Sequence, residues 1–265
     1  MRNKLLLVGL SLFVLSCSSD DSTEPIESTS DFLPLTDANY WDYNVESSVA
    51  EGNGSDHLYI SGDVVIDSNT YKKFETENTA YGFFSNILGD NAIRKADDKI
   101  LLTGSTSVDF FEDIPFSVDV ADFIIFKENT TNNQVLGTLT GVFEQEYEGY
   151  PIEFNYTLTS TAKESLTAYT VDGDEYTNVK SMELKLSITA VVNVDLGGIS
   201  VPVTIMPQQD VVTSTQYYAE NIGVVHVSTD LGYELSDLSA YPITIPIPES
   251  ADIHQEEILT TYVAE

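Results

Sequence analysis

Strict period-two alternation, sustained over long stretches, is the feature that most limits what this chain can fold into. Ile152, Phe154, Tyr156 and Leu158 alternate with Glu153, Asn155, Thr157 and Thr159. Met182, Leu184, Leu186, Ile188, Ala190 and Val192 repeat the pattern up to Gly197-Gly198. Side chains two apart lie on one face of a strand, so each stretch predicts a strand with one buried and one wet face. Gly197-Gly198 reads as a two-residue hairpin turn, because both residues tolerate positive φ. Residues 199–212 return as its partner, and Pro202 predicts an edge or bulge, since proline cannot donate to a ladder.

The same reading covers most of the chain after Phe32. Trp41, Tyr43 and Val45 share one face, opposite Asp42, Asn44 and Glu46. Turn-type clusters at Asp67-Ser68-Asn69 and Asp97-Asp98 separate further strands. Residues 116–126 and 135–147 read as longer strands, parted by polar residues 128–133, and Gly149-Tyr150-Pro151 turns the chain again. Residues 81–88 fit one short helix. Residues 66–74 and 171–179 echo each other, each a strand end, an Asx-type turn and a strand beginning at Tyr. Pro242, Pro246 and Pro248 make 241–248 an edge strand or extended strap, and 253–263 a last strand or short helix. Strands of ten or more residues exceed the usual five or six. The fold class is therefore all-β, antiparallel, a strongly curved sheet or barrel-like wrap, with a two-sheet sandwich as the alternative.

The chain's start has a different character. Arg2 and Lys4 precede an almost unbroken apolar run from Leu5 to Leu15, which reads as a signal peptide over residues 1–16. That run is too short to span a bilayer, which needs roughly 20 apolar residues, and no later stretch reaches that length. The only cysteine, Cys17, follows immediately, with Ser16 before it and Val14 three positions before it. That arrangement resembles the lipobox of bacterial lipoproteins, in which the cysteine carries the lipid, and makes Cys17 the candidate lipidation site. Ser18, Ser19, Asp20 and Asp21 resemble the acidic surface-export signal of Bacteroidota lipoproteins, and Asp21-Ser22-Thr23 resembles that phylum's O-glycosylation site at Ser22. Residues 17–31 are polar and acidic, a tether without a core of its own. Residues 32–265 then form a single all-β domain ending in the proline-rich strap.

Two further marks point the same way. Phe32-Leu33-Pro34-Leu35 with Asn39-Tyr40-Trp41-Asp42-Tyr43, and Tyr217-Tyr218-Ala219 with Gly223-Val224-Val225, resemble the opening strand and a late hairpin of β-rich Bacteroidota lipoproteins. The resemblance implies an outer-membrane protein anchored by lipid and exposed at the cell surface. It says nothing of chemistry, and the curved half-barrels of lipoprotein-carrier-like folds enter by analogy alone.

The charge limits the partners. With 11 Lys+Arg against 43 Asp+Glu the net charge is −32, which repels phosphate backbones and excludes nucleic acid as a natural partner. His57, His226 and His254 are far apart in sequence and show no ligand spacing, so neither a metal nor another cofactor is indicated. Asp172, Asp174 and Glu175 have calcium-compatible oxygens but lack the spacing of an EF-hand loop, leaving a weak ion site or a plain turn. No serine elbow, phosphate-cradling loop or catalytic cysteine occurs. Trp41 reads as a core residue, and Tyr147, Tyr150 and Tyr156 gather around one hairpin, where core packing competes with a glycan platform. The expectation is a non-catalytic surface module that binds a protein or glycan partner. A carrier of an apolar ligand, and a glycan-acting enzyme, are the alternatives.

Overall fold

A computed structural model describes residues 30–265 except 90, 112–113, 148, 196 and 242–247. Twelve strands follow one another: β1 (Tyr40–Ser47), β2 (Gly54–Ile66), β3 (Asn69–Thr76), β4 (Ala92–Ala96), β5 (Lys99–Phe111), β6 (Ile114–Lys127), β7 (Gln134–Tyr147), β8 (Tyr150–Val171), β9 (Asp174–Asp195), β10 (Ser200–Ala219), β11 (Gly223–Glu234) and β12 (Ser250–Val263). One short helix, α1 (Phe83–Gly89), lies between β3 and β4. The strands form a single antiparallel sheet in the order β6-β5-β4-β3-β2-β1-β12-β11-β10-β9-β8-β7. Two meanders therefore leave β1 and β12 in opposite directions, and pairing of β1 with β12, Tyr40 opposite Val263, joins them. The sheet rolls up until its two ends nearly meet, so the curved, barrel-like expectation holds and the sandwich does not.

Turns and bulges supply the curvature. Asp67-Ser68 and Asp172-Gly173, the two echoed hairpins, are two-residue turns with both residues at positive φ, whereas Gly197-Gly198, also at positive φ, sit in a longer loop between the paired Asp195 and Ser200 and not in the expected two-residue turn. Three register shifts between Thr204 and Val212 bend β10, each increasing the local twist. Pro202 sits opposite Asn193 of β9, while β11 pairs with β10 only from Val212 to Ala219. Its missing N–H thus falls where the strand is locally an edge. The last strand, open to a helical reading, is β12 in full. Most of the proline strap lies outside the described residues.

The inward faces pack into one core. Trp41 is 1% exposed, its ring 5.9 Å from Phe74, and its Nε1 donates to the carbonyl of Ile222 at 2.7 Å. Tyr43, equally buried, donates its hydroxyl to the carbonyl of Val224 and meets Phe84 of α1 edge-on. Both bonds tie the first strand to the β10–β11 turn.

The helix fills the interior, and its start is capped by side chains from far along the chain. The Asp56 carboxylate accepts the N–H groups of Tyr81 and Gly82. Gln255 accepts that of Phe83, and Glu257 those of Phe84 and Ser85 together with the Ser85 hydroxyl. A Cβ on Gly82 would fall 2.1 Å from Glu257 Oε2, so only glycine lets the chain approach this closely.

At the seam β6 and β7 do not pair. Instead Ser160 of β8 donates to the carbonyl of Ile124, and the Phe123 ring lies over Gly137, where a Cβ would sit 3.2 Å away. Val118 and Val120 of β6 share a small void with Leu158 and Leu186, so β6 tucks against the concave face of the other limb.

Candidate functional site

Among the described residues, a void lined by Ile87, Val118, Val120, Leu184 and Val212 inside the sheet measures about 30 Å³.

A polar concavity lies on the convex side, over β1 and β2. Alternation along β1 turns Tyr40, Asp42 and Asn44 outward, opposite Tyr59, His57 and Ser55 of β2. A groove of about 420 Å³ opens over Asp42, Asn44, Ser55 and His57 and runs to Thr76–Asn78 and Thr260. Asp42 Oδ1 holds His57 Nδ1 at 2.5 Å, which orients the imidazole. The His57 ring stands 5.1 Å from that of Tyr40 and 5.5 Å from that of Tyr59, so three rings cluster beside the groove. The Tyr59 hydroxyl donates to Glu75 at 3.1 Å, and this bond raises its pKa. Lys73, at 2.7 Å, and then Tyr59 hold Glu75 below the usual carboxylate range.

Further round the same face lies a second cluster. His226 Nε2 meets Glu256 Oε2, and His254 Nε2 meets the other oxygen at 2.7 Å, where Ser228 also donates at 2.9 Å. His254 Nδ1 is 2.7 Å from Asp230, and Asp230 first, then Glu256, raises the His254 pKa. The Tyr169 hydroxyl lies 2.6 Å from His226 Nδ1, and its ring stacks on Tyr217 at 4.2 Å. Tyr169 reaches this position because the β8–β9 hairpin bends. A register shift between Ala162 and Ser165, a bond from the Glu164 N–H to Ser181, and positive φ at Asn178 kink both strands together.

The fold thus brings onto four adjacent strands three histidines that are scattered in sequence, each against a carboxylate. The register that places Glu46 opposite Glu256 links the two clusters. Among the described residues no group of three or more His, Cys, Asp or Glu could hold a metal ion. Ser228 gives its hydroxyl to Glu256 and not to an imidazole, so it lacks the base contact that activates a serine nucleophile. Burial pushes the Tyr169 hydroxyl well above its ordinary pKa, away from nucleophilic use.

The residues singled out from sequence fall elsewhere. Cys17, Ser18, Ser19, Asp20, Asp21 and Ser22 lie outside the described residues, as does the side chain of Tyr147. Asp172 belongs to the two-residue β8–β9 turn, and Asp174 and Glu175 begin the returning strand. Tyr150 and Tyr156 pack half-buried against the core. The groove had a faint signal in the alternation of Tyr40, Asp42 and Asn44, but the register that sets them against Tyr59, His57 and Ser55 could not be read.

No protein-family model matches the chain, and no similar curated protein or solved structure is found.

Proposed function

We propose that the protein is a lipid-anchored surface module of the outer membrane, non-catalytic, that binds a glycan in the groove over β1 and β2. The observation that carries this reading is the ring cluster Tyr40–His57–Tyr59 beside a 420 Å³ polar groove. Aromatic faces take the apolar side of a sugar ring, and Asp42, Asn44, Asn78 and Glu77 offer partners for its hydroxyls. Cys17, directly after the apolar leader, supplies the anchor in this proposal.

The test is a glycan array probed with the full-length protein in detergent. A saturable hit should weaken at least tenfold in His57→Ala and in Tyr59→Ala, with melting temperatures close to wild type. Absence of any hit, or a hit indifferent to both substitutions, would refute the glycan assignment.

A further inference from the structure

The open end of the sheet lies away from the groove, at strand β7. Strand β7 runs for 14 residues and pairs with β8 on one side only. Its other edge lies beside β6 at its start, where Phe123 covers Gly137, and beyond that presents alternate backbone N–H and C=O groups with no ladder partner among the described residues. Proteins commonly blunt such an edge with lysine, proline or strong bulges. Strand β7 contains no lysine, arginine or proline, and its single register shift lies at its start, between Val135 and Gly137.

The two faces of this edge differ. Leu139 and Phe143 point inward and remain only partly covered, Phe143 stacked on Phe154 at 4.6 Å. Thr140, Val142, Glu144 and Glu146 point outward, with Val142 58% exposed. Glu144 stands directly opposite Glu153 of β8, a like-charge pair that costs stability in a ladder. Nearby lysines are engaged elsewhere, Lys163 with Glu183 and Lys185 with Asp210. Among the described residues Glu144, Glu146 and Glu153 have no cation within ion-pair distance.

We infer that the free edge of β7 docks an extended segment of a partner protein, which adds as a strand and alternates cationic with apolar side chains. Main-chain hydrogen bonds along β7 supply the affinity, and side-chain alternation supplies the register. On the outer face lysines or arginines meet Glu144 and Glu146 and relieve the repulsion with Glu153. On the inner face apolar side chains complete the cover over Leu139 and Phe143. A second copy of this chain is a poorer occupant, because it presents the same acidic edge and a net charge of −32.

The experiment uses the full-length protein in detergent and a fluorescein-labelled peptide alternating lysine with valine, read by anisotropy at physiological salt. Saturable binding is expected, at least tenfold weaker for the same peptide methylated at alternate backbone nitrogens, which keeps its charge but cannot form a ladder. The Glu144→Lys/Glu146→Lys variant should also bind at least tenfold more weakly, while His57→Ala binds normally. Amide exchange should slow along β7 when peptide is added. No binding, or equal binding of the methylated peptide, overturns the proposal. So does concentration-dependent self-association that the peptide does not inhibit.

Discussion

Glu257 accepts hydrogen bonds from both the backbone N–H and the hydroxyl of Ser85, 172 residues away, and so anchors the one described α-helix inside the rolled sheet. Glu257 is 1% exposed. Burial, reinforced by the nearby charge of Asp56, pushes its pKa up from 4.5 to about 7, against the pull of its donors on Phe84 and Ser85. Removal from water outweighs three hydrogen bonds here, because a buried anion gives up its full hydration.

The sign of the resulting pH dependence follows. The folded chain holds the Glu257 proton more tightly than the unfolded chain. This contribution is fully present below pH 4.5 and is lost as pH rises through 7. It amounts to a few kcal/mol at most, at about 1.4 kcal/mol per pKa unit. Melting temperature should therefore fall between pH 5 and 8 in the wild type and fall less in Glu257→Gln. Identical slopes for the two proteins would assign the dependence to other groups.

Trp41 is the sole tryptophan, and its emission reports the core directly. Its fluorescence should be blue-shifted and poorly quenched by iodide. Trp41→Ala should cost about 3–5 kcal/mol, a large share of the roughly 5–15 kcal/mol that holds a domain folded. Trp41→Phe keeps most of the packing but leaves the Ile222 carbonyl unpaired, at a cost of about 1–3 kcal/mol. Wild-type melting of Trp41→Ala would contradict the burial.

Gly223 gives an independent check on the same contact. Its φ is +113°, and a Cβ there would lie 2.8 Å from Trp41 Nε1. Gly223→Ala should therefore destabilise through backbone strain and steric clash together. Hydrogen exchange at Ile222 and Val224 should accelerate with it.

The bent β8–β9 tip should loosen without global unfolding when its bond to the outer face is removed. Tyr169→Phe deletes the hydroxyl that meets His226 Nδ1 but keeps the stacking on Tyr217. A loss of about 1 kcal/mol is expected, appearing as faster amide exchange across residues 166–178 and nearly unchanged melting. Slowed or unchanged exchange in that segment would show that the bond does not hold the tip.

Anchoring rests on a single atom, the Cys17 sulfur, in the reading proposed above. Cys17→Ser should move the protein from the membrane to the soluble extracytoplasmic fraction, and continued retention in the membrane would count against lipidation.

Much of the fold was legible in the chain because a strand reports its own burial every second residue. The alternation of Trp41, Tyr43 and Val45, and of Met182 through Val192, named the inward face before any partner was known. Turn chemistry did the same for Asp67-Ser68, Asp172-Gly173 and Gly197-Gly198, where positive φ selects the residues locally. Other elements carried no such mark. The start of α1 has neither Ser, Thr, Asp nor Asn immediately before it, because its N–H groups are satisfied by Asp56, Gln255 and Glu257. Those caps are tertiary, and no local pattern announces them.

The sequence by itself determined a chain of long, half-buried strands, their turns, and an acidic surface, since each follows from neighbours a few residues apart. Tertiary structure alone decided that the sheet rolls with β1 against β12 and leaves one edge of β7 without a ladder partner. It also decided which polar residues become neighbours. Asp42 meets His57 across one turn, but Glu256 meets His226 across 30 residues and Glu257 meets Ser85 across 172. Contacts of that span depend on register between strands distant in sequence. A shift of one residue would have turned each of these side chains to the opposite face.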